Sequence, residues 1–454
     1  MPNYFTKHLK SSQILVISFF LIILIGSILL SMPFSVHGER LSFVDASFTA
    51  TSATCVTGLI VVDTGVKYTL AGQIIILVLI QIGGLGIMTM STFLLFIIWG
   101  HISMTDRDLI VETLTQRPVK NLASLVRTVF SYTIIAELIG AIFLTLRFQN
   151  YYTLPKAIYY GIFHSISAFC NAGFSVFSSS FMDFKGDVFI NLTLMFLIVL
   201  GGIGFYVFLD LKQSILQYHI RFISKISFYS KIVFIMTIVL IVSGTIIFYI
   251  TETGNVLNGM NIDKKILISM FQSVTARTAG FNTVDIAYLS NSSLFVIIIL
   301  MFIGASSGSC GGGIKTSTFA VLFSFLIAKF KNRQDVNLLK RRVPEDTVSR
   351  AVSIAFFSII VIVTFTMLLL ISELGELSHQ NSRGQFLEIV FEVFSAFGTV
   401  GLSTGITSGL SNLGKILVST LMFIGRLGPL TVAIAIGSQK KIKYRYPKED
   451  ILVG

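Results

Sequence analysis

Long apolar runs recur along the whole of this sequence, and they constrain its fold more than any other feature. The runs predicted as helices lie near residues 13–32, 70–99, 128–147, 188–210, 230–250, 293–327, 352–372 and 412–436. A helix of about twenty apolar residues crosses the roughly 30 Å hydrocarbon core of a bilayer. Only 12% of the residues are charged, against roughly 25% in soluble domains. The sequence therefore predicts an all-α polytopic membrane protein.

Basic residues are distributed unevenly between the segments that connect these runs. Of the 34 Lys and Arg residues, 22 lie in the N-terminus, in the loops 100–127, 211–231 and 329–350, and after residue 439. Cytoplasmic loops of membrane proteins carry such an excess of Lys and Arg. We therefore expect both termini in the cytoplasm. The net charge of +12 is explained by this topology, and no other feature points to nucleic acid.

The stretches between paired apolar runs are rich in Ser, Thr, Gly and Phe, and they align on a glycine. The aligned glycines are Gly58, Gly173, Gly280 and Gly401. A second glycine follows 24 to 28 positions later, inside the next apolar run, and this set comprises Gly83, Gly201, Gly304 and Gly425. Two landmarks at nearly constant spacing, four times over, indicate an internal repeat.

Each repeat is predicted to contain a first helix (M1), a pore loop and a second helix (M2). The repeats span residues 1–100, 101–225, 226–345 and 346–440, and a polar cytoplasmic tail occupies 441–454. Four such units predict pseudo-fourfold symmetry around one central pore.

The pore loops have the character of a cation pathway. Each is predicted to begin as a short half-helix, such as Ser47–Ala53 or Phe163–Phe169, and to continue as extended chain up to the aligned glycine. Irregular backbone at membrane depth is tolerated where it is buried or lines a watery cavity. The C-terminal end of a helix favours a cation, backbone carbonyls can replace its water shell, and glycine permits the backbone angles that aim them.

The four residues that end at each aligned glycine contain no carboxylate. These predicted filter residues are Cys55, Val56, Thr57 and Gly58; Cys170, Asn171, Ala172 and Gly173; Arg277, Thr278, Ala279 and Gly280; and Gly398, Thr399, Val400 and Gly401. Sites for Mg²⁺ or Ca²⁺ usually include Asp or Glu. We therefore expect a monovalent cation held by backbone carbonyls, with K⁺ favoured and Na⁺ as its competitor. The Arg277 side chain is expected to point away from the axis in a structural role.

The motifs CVTGL, CNAGF, RTAGF and GTVGL around these glycines, each followed by a glycine-bearing helix, resemble the Trk/Ktr/HKT superfamily of potassium transporters. The resemblance covers nearly the whole chain, and the most similar type is the KtrB membrane subunit. Trk-type relatives carry an extra N-terminal helix pair, whereas only about twelve residues here precede the first predicted helix. In that superfamily a glycine at all four filter positions is associated with potassium selectivity. Relatives with serine at the first position favour sodium, so Gly58 is the informative residue.

The resemblance also implies partners and location. It implies a homodimer in the bacterial cell membrane, in contact with lipid, with one pore in each protomer. A cytosolic KtrA-type ring that binds ATP or ADP is expected to control transport, so that nucleotide acts only through that regulatory subunit. Sodium is a possible promoter of uptake, and K⁺ is the transported ion.

The sixth apolar run, 293–327, is too long for one span, and small residues fill its middle. Glycine costs about 1 kcal/mol in a helix interior, so 304–316 is predicted as a mobile intramembrane loop, without counterpart in the other repeats. In the superfamily, the corresponding loop obstructs the pore. The predicted gate residues are Gly304, Ala305, Ser306, Ser307, Gly308, Ser309, Cys310, Gly311, Gly312, Gly313, Lys315 and Arg426. The run Gly308–Thr316 mimics a phosphate-binding P-loop, but Ile314 separates its lysine from the last glycine.

Arg426 lies inside the last apolar run, where a charge costs at least about 2.5–3.5 kcal/mol. It either bonds carbonyls of the gating loop and opposes cations, or it pairs with buried helix ends for packing alone.

Two other functions remain as alternatives to a gated K⁺ conduit. An alternating-access secondary cation transporter predicts two related halves with ionisable groups at mid-membrane. A membrane enzyme needs a cluster of His, Asp or Cys near one face, and the sequence suggests none. We therefore predict that the chain is not an enzyme.

Overall fold

The computed structural model describes residues 11–86, 122–218, 226–375, 377–378 and 380–436. The predicted tail at 441–454 lies outside these residues, as do the predicted repeat boundaries at 100–101 and 440–441.

Helices make up most of the described chain before residue 219. In chain order they are α1 (Ser11–Ser31), α2 (Phe43–Thr54), α3 (Thr64–Lys67), α4 (Leu70–Leu85), α5 (Leu122–Phe148), α6 (Leu154–Phe169), α7 (Val188–Ile203) and α8 (Phe205–Tyr218).

The second half of the described chain is built in the same way, with one short hairpin. Its helices are α9 (Phe228–Glu252), α10 (Ile262–Thr275), α11 (Asn291–Phe302), α12 (Thr316–Phe330), α13 (Glu345–Leu369), α14 (Gln385–Gly398), α15 (Asn412–Leu427) and α16 (Pro429–Ile436). Strands β1 (Asn337–Leu338) and β2 (Arg341–Arg342) pair antiparallel between α12 and α13. A π-helical turn, Leu370–Leu374, extends α13.

Four of the described helices are long and apolar enough to cross a bilayer by themselves: α1, α5, α9 and α13. They correspond to the M1 helices predicted from the sequence, with bounds shifted by a few residues. Two bent pairs, α7 with α8 and α15 with α16, raise the number of candidate spans to six if each pair is one span.

A shorter helix packs against each of these long helices: α2 on α1, α6 on α5, α10 on α9 and α14 on α13. The short helices are longer than the predicted half-helices, because α2 already begins at Phe43 and α6 at Leu154. The Ser42 hydroxyl caps α2 by accepting the Asp45 amide at 3.1 Å. Such a cap satisfies an amide that has no partner within the helix.

The helices that follow begin at side-chain caps as well. Thr69, Asp187, Ser290 and Ser411 accept backbone amides at the first turns of α4, α7, α11 and α15. Ser, Thr and Asp are the residues preferred at this position.

The second helix is interrupted in the second, third and fourth predicted repeats, and in the first repeat the described part of the helix ends at Leu85. The chain bends by 93° between α7 and α8 and by 95° between α15 and α16, and α4 ends before Gly86. The glycines at these points, Gly86, Gly204 and Gly428, have φ of 82°, 99° and 86°. Only glycine enters this region at little cost.

The continuous helices predicted at 188–210 and 412–436 are therefore wrong. The helix predicted at 70–99 is described only as far as its end at Leu85, because 87–99 lie outside the described residues. The interruption predicted in 293–327 is confirmed, since α11 ends at Phe302 and α12 begins at Thr316. Repeats two and four, expected to have no counterpart of this interruption, do break at Gly204 and Gly428, although by a sharp bend rather than a loop. The signal for these bends is a second glycine three positions after Gly201 and Gly425.

The second set of aligned glycines lets helices approach the ends of the short helices. An added Cβ would lie far inside contact distance of a carbonyl oxygen in three cases: Gly83 with Thr54 at 1.9 Å, Gly201 with Phe169 at 1.7 Å and Gly425 with Phe397 at 2.0 Å. No side chain fits at these crossings. Gly304 differs, because its added Cβ meets the Gly312 carbonyl of its own loop at 2.2 Å.

We expect Gly201→Ala to lower the melting temperature of the purified protein, because the new methyl group forces α7 away from the end of α6. Overpacking of this kind costs about 1–3 kcal/mol. The measurement is thermal unfolding in detergent. Gly254→Ala is the matched control, since no atom lies within 4 Å of its added Cβ. Equal melting temperatures for the two variants would contradict this packing.

Candidate functional site

The four aligned glycines lie together and contact one another in chain order. A Cβ added to Gly58 would lie 3.0 Å from the Cα of Gly173, and a Cβ added to Gly173 would lie 2.9 Å from the Cα of Gly280. A Cβ added to Gly280 would lie 3.3 Å from the Cα of Gly401, and a Cβ added to Gly401 would lie 2.9 Å from the Cα of Gly58. The fourth glycine thus closes onto the first. We call these four residues the glycine ring.

The carbonyl that precedes each glycine faces the neighbouring stretch within this ring. Added Cβ atoms would meet these oxygens at 2.0 to 2.8 Å. The oxygens belong to Thr57, Ala172, Ala279 and Val400. The ring therefore collects four backbone acceptors from distant parts of the sequence, and only glycine leaves room for them.

The four stretches share one backbone conformation, with positive φ at the glycine and at the residue two positions before it. The residue two positions before each glycine has positive φ: Val56 at 57°, Asn171 at 59°, Thr278 at 73° and Thr399 at 50°. The glycines have φ of 95°, 71°, 78° and 91° in chain order. Left-handed conformations cost non-glycine residues roughly 1–2 kcal/mol each. Such strain persists only where surrounding structure imposes it, and it clusters at functional sites.

Hydrogen bonds to the short helices impose this conformation. The amides of Thr57, Ala172 and Val400 each donate at 2.8 Å to a serine carbonyl near the end of α2, α6 or α14. The acceptors are Ser52, Ser167 and Ser395. In the third stretch, Ala279 donates to the Thr275 carbonyl at 2.9 Å. Because the amides bond to the helices, the carbonyls are left to face the ring.

The hydroxyls of the same residues form a second set of bonds. Ser52 and Ser395 accept the amides of Gly58 and Gly401, both at 3.0 Å. Ser167 and Thr275 instead donate to the carbonyls of Phe174 and Phe281, at 2.8 and 2.6 Å. The recurring serine is visible in the sequence, but its role as a brace becomes clear only from these bonds.

A cavity of about 380 Å³ opens on one side of the ring. The ring glycines form its floor, and its walls include Asp63, Ser175, Asn282 and Ser403. Two buried residues support these walls from behind: His164 bonds the Ser175 hydroxyl at 3.0 Å, and Glu392 accepts from Ser403 at 2.8 Å. Polar groups therefore line the approach to the ring.

The predicted gating loop lies on the other side of the ring. The Gly312 amide donates to the Thr399 hydroxyl at 3.0 Å. A Cβ added to Gly311 would lie 2.2 Å from the Thr278 hydroxyl oxygen. Both partners lie two positions before a ring glycine, so small residues of the loop press directly against the stretches that form the ring.

Backbone bonds to α7 and α8 hold this loop in place. The Ser306 and Cys310 amides donate to the carbonyls of Gly202 and Gly201, at 3.0 and 3.1 Å. In return, the Phe205 amide donates to the Gly308 carbonyl at 2.9 Å. The bend at Gly204 makes these hydrogen bonds possible, because it exposes carbonyls at the end of α7 and an amide at the start of α8 to the loop.

Arg426 joins the loop to a helix end. Its guanidinium donates to the Cys310 carbonyl in the loop and to the Gly83 and Gly84 carbonyls at the end of α4. The last carbonyls of a helix lack partners within it. Arg426 therefore bonds both the loop and a buried helix end. Lys315 adds a bond of 2.7 Å to the Gly311 carbonyl.

The remaining predicted site residues lie behind the ring. Cys55 and Cys170 are the C-terminal caps of α2 and α6, and Gly398 is the last residue of α14. Arg277 lines a small cavity beside α7 and α9.

Sequence reasoning missed one buried carboxylate near the loop. Glu137 of α5 is 8% exposed and accepts from the Gln81 amide at 3.1 Å. The Cys170 thiol lies within 3.8 Å of the same carboxylate. A single acidic residue within the predicted 128–147 span was the available signal.

The chain matches known transport proteins over nearly its whole length. The family model described as cation transport protein TrkH matches residues 2–443. The chain is 38% identical to Ktr system potassium uptake protein B of Bacillus subtilis over 444 residues, which cover 97% of this chain and 96% of that protein. The chain belongs to the TrkH family of cation transport proteins.

Two further matches support the membership of this TrkH-family chain. The Ktr system potassium uptake protein B of Vibrio alginolyticus is 39% identical over 449 residues, covering 97% of this chain and 94% of that protein. The crystal structure of the potassium transporter TrkH from Vibrio parahaemolyticus shares the fold, with a TM-score of 0.71, 18% identity and coverage of 95% of this chain and 86% of that one. The TrkH-family chain is a multi-pass protein of the plasma membrane.

We expect Ser52→Ala to destabilise this TrkH-family chain, because the variant leaves the Gly58 amide without its side-chain acceptor. An unsatisfied buried donor costs about 1–3 kcal/mol, so the melting temperature in detergent should fall. Ser353→Ala is the control, since the Ser353 hydroxyl bonds only within its own helix, at 2.9 Å. A melting temperature for Ser52→Ala no lower than that of the control would contradict the bracing role.

Proposed function

We propose that the chain is the pore-forming subunit of a gated potassium uptake system. The observation that carries this proposal is the closed ring of four glycines with four backbone carbonyls facing into it. In this proposal the ring is the selectivity filter, and each of its stretches comes from one helix, pore loop and helix repeat. The repeats have the bounds 1–100, 101–225, 226–345 and 346–440, arranged with pseudo-fourfold symmetry around one pore.

The chemistry of the ring favours potassium. Its facing groups are neutral carbonyl oxygens, and none of the filter windows contains Asp or Glu. Neutral carbonyls suit an ion that gives up its water readily, whereas Mg²⁺ dehydrates reluctantly and Ca²⁺ sites draw on carboxylates. The Bacillus and Vibrio relatives are named as potassium uptake proteins, which supports the same ion here.

The short helices provide an electrostatic potential that favours a cation at the ring. The ends of α2, α6, α10 and α14 lead directly into the ring stretches. The C-terminal end of a helix carries roughly half a negative charge, so four such ends favour a cation between them. With both termini in the cytoplasm, as the basic loops indicate, the short helices enter from outside and the 380 Å³ cavity is the outer vestibule.

The loop at 304–316 is the proposed gate. It lies on the cytoplasmic side of the filter in this orientation, and its contacts with Thr278 and Thr399 obstruct the path below the ring. Arg426 keeps the loop in place through the Cys310 carbonyl. It also puts a positive charge beside the path. Opening requires these hydrogen bonds to break together, so that the loop behaves as a two-state element.

The gate needs a controlling partner, and the relatives' names suggest one. A "Ktr system" and a "protein B" denote one component of several. We propose a cytosolic ring of the KtrA type that binds ATP or ADP and moves the loop, acting on a homodimer of this chain in the lipid bilayer.

An alternating-access secondary cation transporter is the second candidate, favoured by the interrupted helices. Discontinuous helices at the substrate site are typical of such transporters. In this chain the bend at Gly204 lies beside the loop rather than at the ring, and four stretches converge instead of two. The gated pore accounts for both features.

Gly58→Ser should weaken discrimination of K⁺ against Na⁺. An added Cβ at Gly58 lies 2.5 Å from the Ala172 carbonyl oxygen, and φ is +95°, so a side chain displaces an oxygen of the ring. The measurement compares ⁸⁶Rb⁺ and ²²Na⁺ uptake into proteoliposomes. Gly38→Ser is the matched control, because Gly38 also has positive φ (+71°) but has no atom within 4 Å of its added Cβ. Unchanged selectivity in a folded Gly58→Ser protein would reject the filter assignment.

Deleting Ser306–Gly313 should raise the basal K⁺ flux of the isolated subunit several-fold, because the residues that press on Thr278 and Thr399 are removed. Flux is followed as ⁸⁶Rb⁺ uptake into proteoliposomes without any partner. The same vesicles should stay impermeable to N-methyl-D-glucamine, which shows that the filter is intact. A basal flux equal to or below that of the unaltered chain would remove the loop from the role of gate.

A further inference from the structure

Arg277 is a buried charge beside the ring, and no carboxylate among the described residues forms an ion pair with it. Its side chain is 7% exposed, and its Nε has no hydrogen-bond partner. The cavity that it lines is otherwise formed by Ile198, Val199, Gly202, Ile203, Thr237, Val274 and Ala305. None of these residues is acidic, so the positive charge is not neutralised in this cavity.

The cavity is too small to admit a counterion. Its volume is about 10 Å³, which is room for about one water molecule. The Thr237 hydroxyl, which also lacks a partner, lines the same space. One water between these two groups relieves part of the desolvation cost but cancels no charge.

The position of Arg277 in the chain brings this charge close to the ring. Arg277 lies two residues before Ala279, whose carbonyl faces the ring, and three before Gly280. Residues span at most about 3.6 Å each, so the Arg277 Cα lies within about 11 Å of the Gly280 Cα, and the guanidinium at the end of its side chain lies on the order of 10 to 15 Å from the ring. The other three stretches have Cys55, Cys170 and Gly398 at this position, so only the third stretch is charged there.

A fixed positive charge at this distance opposes cation binding. The guanidinium does not lose its proton in proteins. Two unit charges about 10 to 15 Å apart, at an effective dielectric constant near 20, change a binding constant by roughly tenfold. Salt screens a buried charge much less than a surface charge, so the effect persists at physiological ionic strength.

We propose that Arg277 sets the cation affinity of the ring. Its charge weakens binding of the conducted ion, so that the ion leaves the filter quickly. Conduction requires binding that is strong enough for entry and weak enough for exit. Arg277 tunes that balance from behind the filter, without touching the ion. This inference rests on the proposed function, since it takes the ring as the ion site.

The test compares Arg277→Gln with the unaltered chain. We expect the Kd for K⁺, measured by calorimetric titration of the purified subunit, to fall about tenfold, and the KM for ⁸⁶Rb⁺ uptake to fall with it. Arg277→Lys keeps the charge and should stay within about twofold of the unaltered chain. Arg383→Gln is the matched control, because Arg383 is exposed and precedes α14, and its Kd should not change.

An unchanged or raised Kd in Arg277→Gln would overturn the inference. So would equal shifts in Arg277→Gln and Arg277→Lys, which indicate a role in packing rather than charge. Arg277→Met is a second neutral variant. If both neutral variants fail to yield monodisperse protein while the lysine variant folds, the charge serves folding, and the inference fails. Failure of the proposed filter is recognised separately, because Gly58→Ser would then leave selectivity unchanged.

Discussion

The hydrogen bonds between the filter stretches and the short helices are the constraint on which the rest of the structure depends. Unpaired backbone groups in a membrane cost several kcal/mol each, so four extended stretches cannot exist there unless their amides are satisfied. The carbonyls of Ser52, Ser167, Thr275 and Ser395 satisfy them. The stretches can then direct their own carbonyls at one another, and a cation becomes the natural partner of those oxygens.

Close approach of backbones is the second requirement, and glycine provides it at two levels. In the ring, an added Cβ would occupy the place of a neighbouring carbonyl. One layer out, Gly83, Gly201 and Gly425 let helices touch the ends of the short helices. The glycine ring is thus braced by helix ends, and the helix ends are braced by α4, α7 and α15. The same helices end or bend at Gly86, Gly204 and Gly428, which frees backbone groups for the loop and for Arg426.

Much of this arrangement could be predicted from the sequence because it depends on residue type and spacing. Runs of twenty apolar residues predict the long helices, and the recurring glycines predict which stretches meet. The run of small residues at 304–316 predicts an interruption of the helix, because low helix propensity is a property of the residues themselves and needs no distant contact. The bends at Gly204 and Gly428 were missed, because an apolar run that contains several glycines also suits a continuous membrane helix. The bracing by Ser52 and the Gln81–Glu137 pair were missed because they depend on contacts between distant segments.

The central claim is that a dehydrated monovalent cation sits among the carbonyls of Thr57, Ala172, Ala279 and Val400. The most direct test is a crystal structure of the chain soaked with Tl⁺, which stands in for K⁺ and scatters anomalously. The account predicts an anomalous peak on the axis of the glycine ring, within coordination distance of these four oxygens, that K⁺ displaces in competition. Anomalous peaks that lie only elsewhere, with the ring empty at saturating Tl⁺, would contradict it.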